Sequence, residues 1–245
     1  MINYQKIKPR VYIEPTVISH LVARPSNDAI LASWQKASRQ LWEDYADKFE
    51  FVISPIVRAE IQRGDPTAAQ QRFEVVSLLR ILELFPETDI LAQKLLDSGA
   101  VPRNSLTDAQ HIAIATVHRV EYLVSWNHKH IVNENKREHI NQVCREAGFQ
   151  SITICTPIQL MEDIQMKEKE ISKKHSEFDP ETYTNPILEE CYRIKAEISA
   201  EFKTPAEFSA YLKAIEEEDK RNGIKYVPYD PSRRTPPEKP DDDKK

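Results

Sequence analysis

Glu14, Glu60 and Asp108 are acids that fall at or beside three junctions where a strand-like run gives way to a helix pattern, and Asn127 falls at a fourth. Glu14 closes the run Val11-Tyr12-Ile13 just before Pro15. Glu60 lies one to two turns inside a helix announced by Ser54-Pro55, which follows the run Phe51-Val52-Ile53. Asp108 sits in the first turn of a helix opening at Ser105-Leu106-Thr107, where either hydroxyl can cap, and Asn127 follows the short apolar strand Tyr122 to Trp126. If these strands are parallel neighbours, their carboxyl ends share one edge of the sheet and the four side chains converge. Carboxylates about 4 Å apart repel by about 4 kcal/mol per pair at an effective dielectric of about 20. A converged set therefore needs a proton or a cation. A hard divalent ion, Mg²⁺ or Mn²⁺, suits oxygen ligands better than zinc, because no Cys/His ligand spacing is present. Such an ion lowers the pKa of bound water and stabilises charge at phosphorus during phosphodiester hydrolysis. Each acid also has a structural reading: Asp108 as a helix N-terminal acid, Glu14 as a junction residue, Glu60 as an exposed helix acid. Spacing leaves both readings open.

Composition narrows the classes. The chain has 245 residues, 40% of them hydrophobic, enough for one sizeable core with an appendage. The formal net charge of -5 comes mostly from residues after Met161, so the preceding body is close to neutral and lacks a broadly basic nucleic-acid surface. The four glycines, Gly64, Gly99, Gly148 and Gly223, are scattered, which excludes a dinucleotide-binding or Walker-type loop. Cys144, Cys155 and Cys191 are singletons and read as reduced thiols of a cytoplasmic protein. No apolar run approaches the roughly 20 residues that span a bilayer, so a soluble chain with no membrane partner is expected.

Strand patterns alternate with helix patterns through Met161, which predicts an α/β body: a mainly parallel sheet sandwiched by helices over residues 1–161. Residues 162–184 are almost wholly charged or polar and read as a linker. From 185 to 227 the pattern returns to helix. Ile187, Cys191, Ile194, Ile198 and Phe202 form one apolar stripe, and Thr204-Pro205-Ala206-Glu207 is a capping box that opens a second stripe with Phe208, Tyr211, Leu212 and Ile215. Two such helices need a docking surface on the body, on a second copy, or on another protein. Residues 228–245 are rich in proline and charge and read as extended or disordered.

The segments VYIEPTVISHL, ISPIVRAEIQRGDP, TDAQHIAIATVHRVEYLVSWN and ITICTPIQLM resemble, in order, the landmarks of the PIN-domain family, specifically VapC-like ribonuclease toxins of toxin-antitoxin systems. The resemblance covers about Val11 to Met161. It implies a PIN-like fold, a Mg²⁺ or Mn²⁺ site of acids that cuts RNA, and a tendency to form homodimers. By position it implies Glu14, Glu60 and Asp108 as metal ligands, with Asn127 and Thr16 completing the catalytic set. Two residues depart from the family pattern: Glu14 stands where Asp is usual, and the neutral Asn127 stands where a fourth acid is usual, which favours one tightly held ion over two. The stretch TNPILEECYRIKAEISAEFKTPAEFSAYLKAIEEEDKRNG is similar to the small helical antitoxins encoded beside such toxins. That similarity implies restraint by the chain's own helices, in cis or in a neighbouring copy, with a basic residue entering the acidic site; Lys225, Arg233 and Arg234 follow the helices and are the candidates.

Arg58, Arg63 and Lys129 lie near the expected cleft and are candidates for substrate phosphate contacts. His111, His128 and His130 are read as packed or loop residues, and Trp34, Trp42 and Trp126 as core anchors. The expected function is a metal-dependent endoribonuclease; the alternative, favoured by Glu14 and Asn127, is a catalytically weak or silent PIN-fold module that binds RNA.

Overall fold

The computed structural model describes residues 8–168 and 184–227. The chain runs β1 (Arg10–Ile13), α1 (Pro15–Val22), α2 (Ala29–Asp44), β2 (Glu50–Ile53), α3 (Pro55–Ile61), α4 (Pro66–Val76), β3 (Arg80–Leu82) and α5 (Pro86–Asp97). It continues through α6 (Leu106–Val117), β4 (Tyr122–Val124), α7 (Glu134–Glu146), β5 (Thr153–Cys155) and α8 (Pro157–Glu168). The C-terminal part is α9 (Pro186–Glu201), α10 (Pro205–Arg221) and a two-residue β6 (Tyr226–Val227). The strands form one sheet in the order β5-β4-β1-β2-β3-β6, with every pairing parallel. This is the expected α/β sandwich with a helical C-terminal region.

Local chemistry sets the helix starts. Seven of the ten described helices open on proline, where its missing N–H costs nothing. Asp28, Ser54, Asp65, Asn133, Asn185 and Thr204 cap through side-chain oxygens. In the Thr204 box the Glu207 carboxylate accepts from Lys203 N, one residue outside the cap. Ser105 departs from expectation: it is the N-cap of α6 but makes no side-chain cap bond, and its hydroxyl instead meets His130 Nδ1 at 3.1 Å.

The buried strands β1, β2 and β4 pack with α1, α3 and α6 in a single apolar core, within which the Trp34 and Trp126 rings stack at 4.8 Å. Trp42 is only half-buried against it. Leu188, Ile194, Ile198, Phe208 and Leu212 of α9 and α10 belong to the same core. Both stripes therefore dock on the chain's own body, α9 across α1, α3 and α6 and α10 across α3 and α5. Burying each such side chain contributes about 1.5 to 3 kcal/mol before ordering costs.

The body does not stop at Met161. Helix α8 carries on to Glu168, with Ile164 packed on the core and the Gln165 amide donating to the Tyr45 hydroxyl at 2.7 Å. Residues 169–183 of the expected linker and the tail from 228 to 245 lie outside the described residues. Among the described residues no helix is long and apolar enough to cross a membrane.

Candidate metal centre

The sheet order places β1 between β2 and β4, in register Tyr12↔Val52 and Ile13↔Val124, so the carboxyl ends of all three strands lie at one edge. Glu14 leaves β1 there as the N-cap of α1. Its Oε2 accepts from Thr16 N at 2.9 Å, from the Thr16 hydroxyl, and from the Ser125 hydroxyl at 2.9 Å. The Thr16 hydroxyl in turn accepts from Trp126 N at 2.8 Å, tying β1 to the end of β4. One carboxylate oxygen is thus spent on local structure, while Oε1 points into the site.

Glu60, on α3, directs Oε1 to His111 Nε2 at 3.1 Å. His111 Nδ1 meets the Tyr12 hydroxyl at 2.8 Å, and that hydroxyl meets Ser54 Oγ at 2.6 Å. A carboxylate only accepts, so Nε2 carries the proton toward Glu60; with a neutral ring, Tyr12 then donates to Nδ1 and Ser54 donates to Tyr12. Burial raises Tyr12 well above its ordinary value, outweighing its hydrogen bond to Ser54, so it stays a donor. Asp108 faces the same space from the first turn of α6. Its Oδ1 accepts from Asn127 Nδ2 at 2.8 Å, and its Oδ2 meets His130 Nδ1 at 2.8 Å. Asn127 Oδ1 accepts from His130 N at 3.0 Å, so both ends of this amide are engaged in holding Asp108 and its loop.

A cation lies among the acids, and it comes from α9. Lys195 Nζ is 2.9 Å from Glu14 Oε1, 2.9 Å from Glu60 Oε2 and 3.5 Å from Asp108 Oδ1. All four side chains are at least 95% buried. Burial alone raises the carboxyls of Glu14 and Asp108, but Lys195 and the neighbouring hydrogen bonds win, and both are held below their ordinary values. Burial likewise lowers Lys195, but Glu14, Glu60 and Asp108 raise it well above its ordinary value. Glu14, Asp108 and Lys195 are therefore charged through the neutral range.

Among the described residues the cation entering the acids is therefore Lys195, and not Lys225. Lys225 is exposed, and Arg233 and Arg234 lie outside the described residues. The signal was present in the stripe: Lys195 stands four residues after Cys191 and three before Ile198, both buried, and a lysine on an apolar helix face needs buried acids to meet it. His111 and His130 were the other misses. Each is adjacent in sequence to apolar or loop residues, and only the tertiary fold brings it to a carboxylate.

The arginines are also engaged. Arg58 pairs with Asp219 of α10, and Arg63 makes a two-pronged pair with Glu201 of α9 at 2.9 and 3.2 Å. Lys129 is exposed beside the site loop.

One ligand atom each from Glu14, Glu60 and His111 lies within 4.8 Å of the others, a group of a size to hold a metal ion. Glu14 Oε1 and Glu60 Oε2 are buried and have no hydrogen-bond partner beyond the lysine ion pair, so two hard oxygen donors already face a cation position. The residues fit a divalent ion in place of the ammonium. Set against family models, curated proteins and solved structures, the chain matches none of them.

Proposed function

We propose that the chain is a metal-dependent endoribonuclease of the PIN, VapC-like type, restrained by its own C-terminal helices and acting in the cytoplasm. The observation that carries this reading is the convergence of Glu14, Glu60 and Asp108, from three strand-helix junctions, on one buried cation delivered by the appended α9. Three clustered carboxylates are costly in a stable core and are the ordinary means of holding Mg²⁺ or Mn²⁺. When bound, such an ion supplies an activated water and charge stabilisation at phosphorus. The chain's own residues do the rest. Thr16 and Ser125 fix Glu14, the Ser54-Tyr12-His111 chain fixes Glu60, and Asn127 with His130 fixes Asp108, so the acids are oriented before any ion arrives. Lys195 and an ion compete for one position, so the docked helices hold the enzyme off.

Incubation of a structured RNA with Mn²⁺ tests the reading. Lys195→Met should cleave at least about tenfold faster than the unaltered chain, and adding Glu60→Gln should abolish that cleavage. Intact RNA in every case would contradict it. A second reading, an RNA-binding module without catalysis, is favoured by the amide of Asn127, which holds Asp108 instead of adding a fourth acid.

A further inference from the structure

Three arginines gather around the C-terminal end of α3. Arg58 lies on that helix, Arg63 follows it, and Arg72 of α4 binds across its end, Nε donating to Ile61 O at 3.0 Å and Nη2 to Arg63 O at 2.6 Å. The ion pairs of all three run to the C-terminal helices: Arg58 to Asp219, Arg63 to Glu201, and Arg72 to Glu190 at 3.7 Å. The Arg58 guanidinium also lies over the Phe73 ring at 5.2 Å. Glu190 is seated against bare backbone, for a Cβ at Gly64, whose φ is +87°, would run into its Oε1. The body therefore offers a row of fork-shaped donors beside an acidic site, and a glycine that lets an anion approach the main chain.

The two helices present the opposite pattern, one cation for the acids and three carboxylates for the arginines. A nucleic-acid strand with a divalent ion on one phosphate presents the same arrangement of charge. We propose that Arg58, Arg63 and Arg72 form the track for the backbone phosphates of the RNA, and that Asp219, Glu201 and Glu190 stand in for those phosphates while α9 and α10 are docked. This rests on the nuclease reading above and extends it from the metal to the substrate. It also makes the restraint twofold: the helices take the metal position with Lys195 and the substrate position with three acids, so RNA and the helices exclude one another.

The test uses the full chain in EDTA with a single-stranded RNA, which stays uncut without a divalent ion, so the readout is binding alone. The triple variant Glu190→Gln/Glu201→Gln/Asp219→Asn should bind this RNA at least about tenfold more tightly than the unaltered chain. Its log Kd should change with log salt with a slope near 2, as about three phosphate contacts on a single strand require. Adding Arg63→Ala should remove about 0.7 from that slope. If the triple variant fails to fold, Glu201→Gln alone serves, because that carboxylate is half exposed and its loss leaves Arg63 accessible; a tightening of about two- to fivefold is expected. Folded variants that bind no better than the unaltered chain, or gained binding that survives Arg63→Ala, would overturn the track. Arginine-dependent binding with no cleavage in Mn²⁺ after Lys195→Met is added to the triple variant would instead sink the nuclease reading and leave the track standing.

Discussion

Lys195 and its three carboxylates depend on one another. Removing one partner of a buried ion pair leaves the others uncompensated, typically at about 3 to 5 kcal/mol. Lys195→Met should therefore lose about that much stability in EDTA, read by chemical denaturation, and recover most of it in Mn²⁺; a loss that Mn²⁺ does not repair would mean that no ion takes the ammonium's place. Glu14→Asp keeps the charge but shortens the reach. It should retain either the Thr16 and Ser125 bonds or the inward oxygen, and bind Mn²⁺ at least about tenfold more weakly in the Lys195→Met background. At this scale Glu14, Glu60 and Asp108 were legible as candidates at or beside strand-helix junctions, but spacing left a structural reading open for each, and the family resemblance singled them out. Lys195 was not legible, because it had to be noticed as a polar residue inside an apolar stripe. The roles of His111 and His130 depend on distances across 51 and 22 residues, which no local pattern carries.

Helix α9 is held by its apolar face and by an ionic anchor, and the anchor has a defined pH window. Glu14 and Asp108 are lowered from ordinary values of 4.5 and 3.8, so their contribution is full above about pH 4.5 and is lost as pH falls through the lowered values. Lys195 is raised above 10.5, so its contribution is full below that pH and is lost only as pH rises through the raised value. Melting temperature should be flat with respect to these groups between about pH 4.5 and 10.5 and fall on the acid side. In metal-free Lys195→Met the sign reverses. Unpaired buried carboxylates gain from protonation, so stability should rise as pH falls from 7 toward 5. At α10, Thr204→Ala removes the hydroxyl that accepts from Glu207 N at 3.2 Å and should cost about 1 kcal/mol, a drop of about 2 to 4 °C. Helix starts were legible because proline and capping residues mark them, whereas the two-residue strand β6 carries no such mark. The end of α8 was not legible either, since the sequence after Met161 is mostly charged or polar and holds too few apolar residues to mark a buried face.

The whole described molecule shares one apolar core, in which Leu188, Ile194, Ile198, Phe208 and Leu212 continue the packing of the body. Strand β6 extends the same sheet beyond β3. The sequence showed that the two helical stripes needed a cover, but stripes of this kind do not say which surface provides it. The body's matching charges do, with acids for Lys195 and arginines for the acids of α9 and α10. Unfolding should therefore be a single calorimetric transition, and a separate low-temperature melting of residues 184–227 would show the appendage to be independent. The central claim, that a lysine of the C-terminal helices stands where a divalent ion would bind, is tested most directly by Mn²⁺ titration calorimetry. Lys195→Met should bind one Mn²⁺ at least about 100-fold more tightly than the unaltered chain, and adding Glu14→Gln should abolish that binding. Equal affinity in the two chains, or no binding in either, would contradict it.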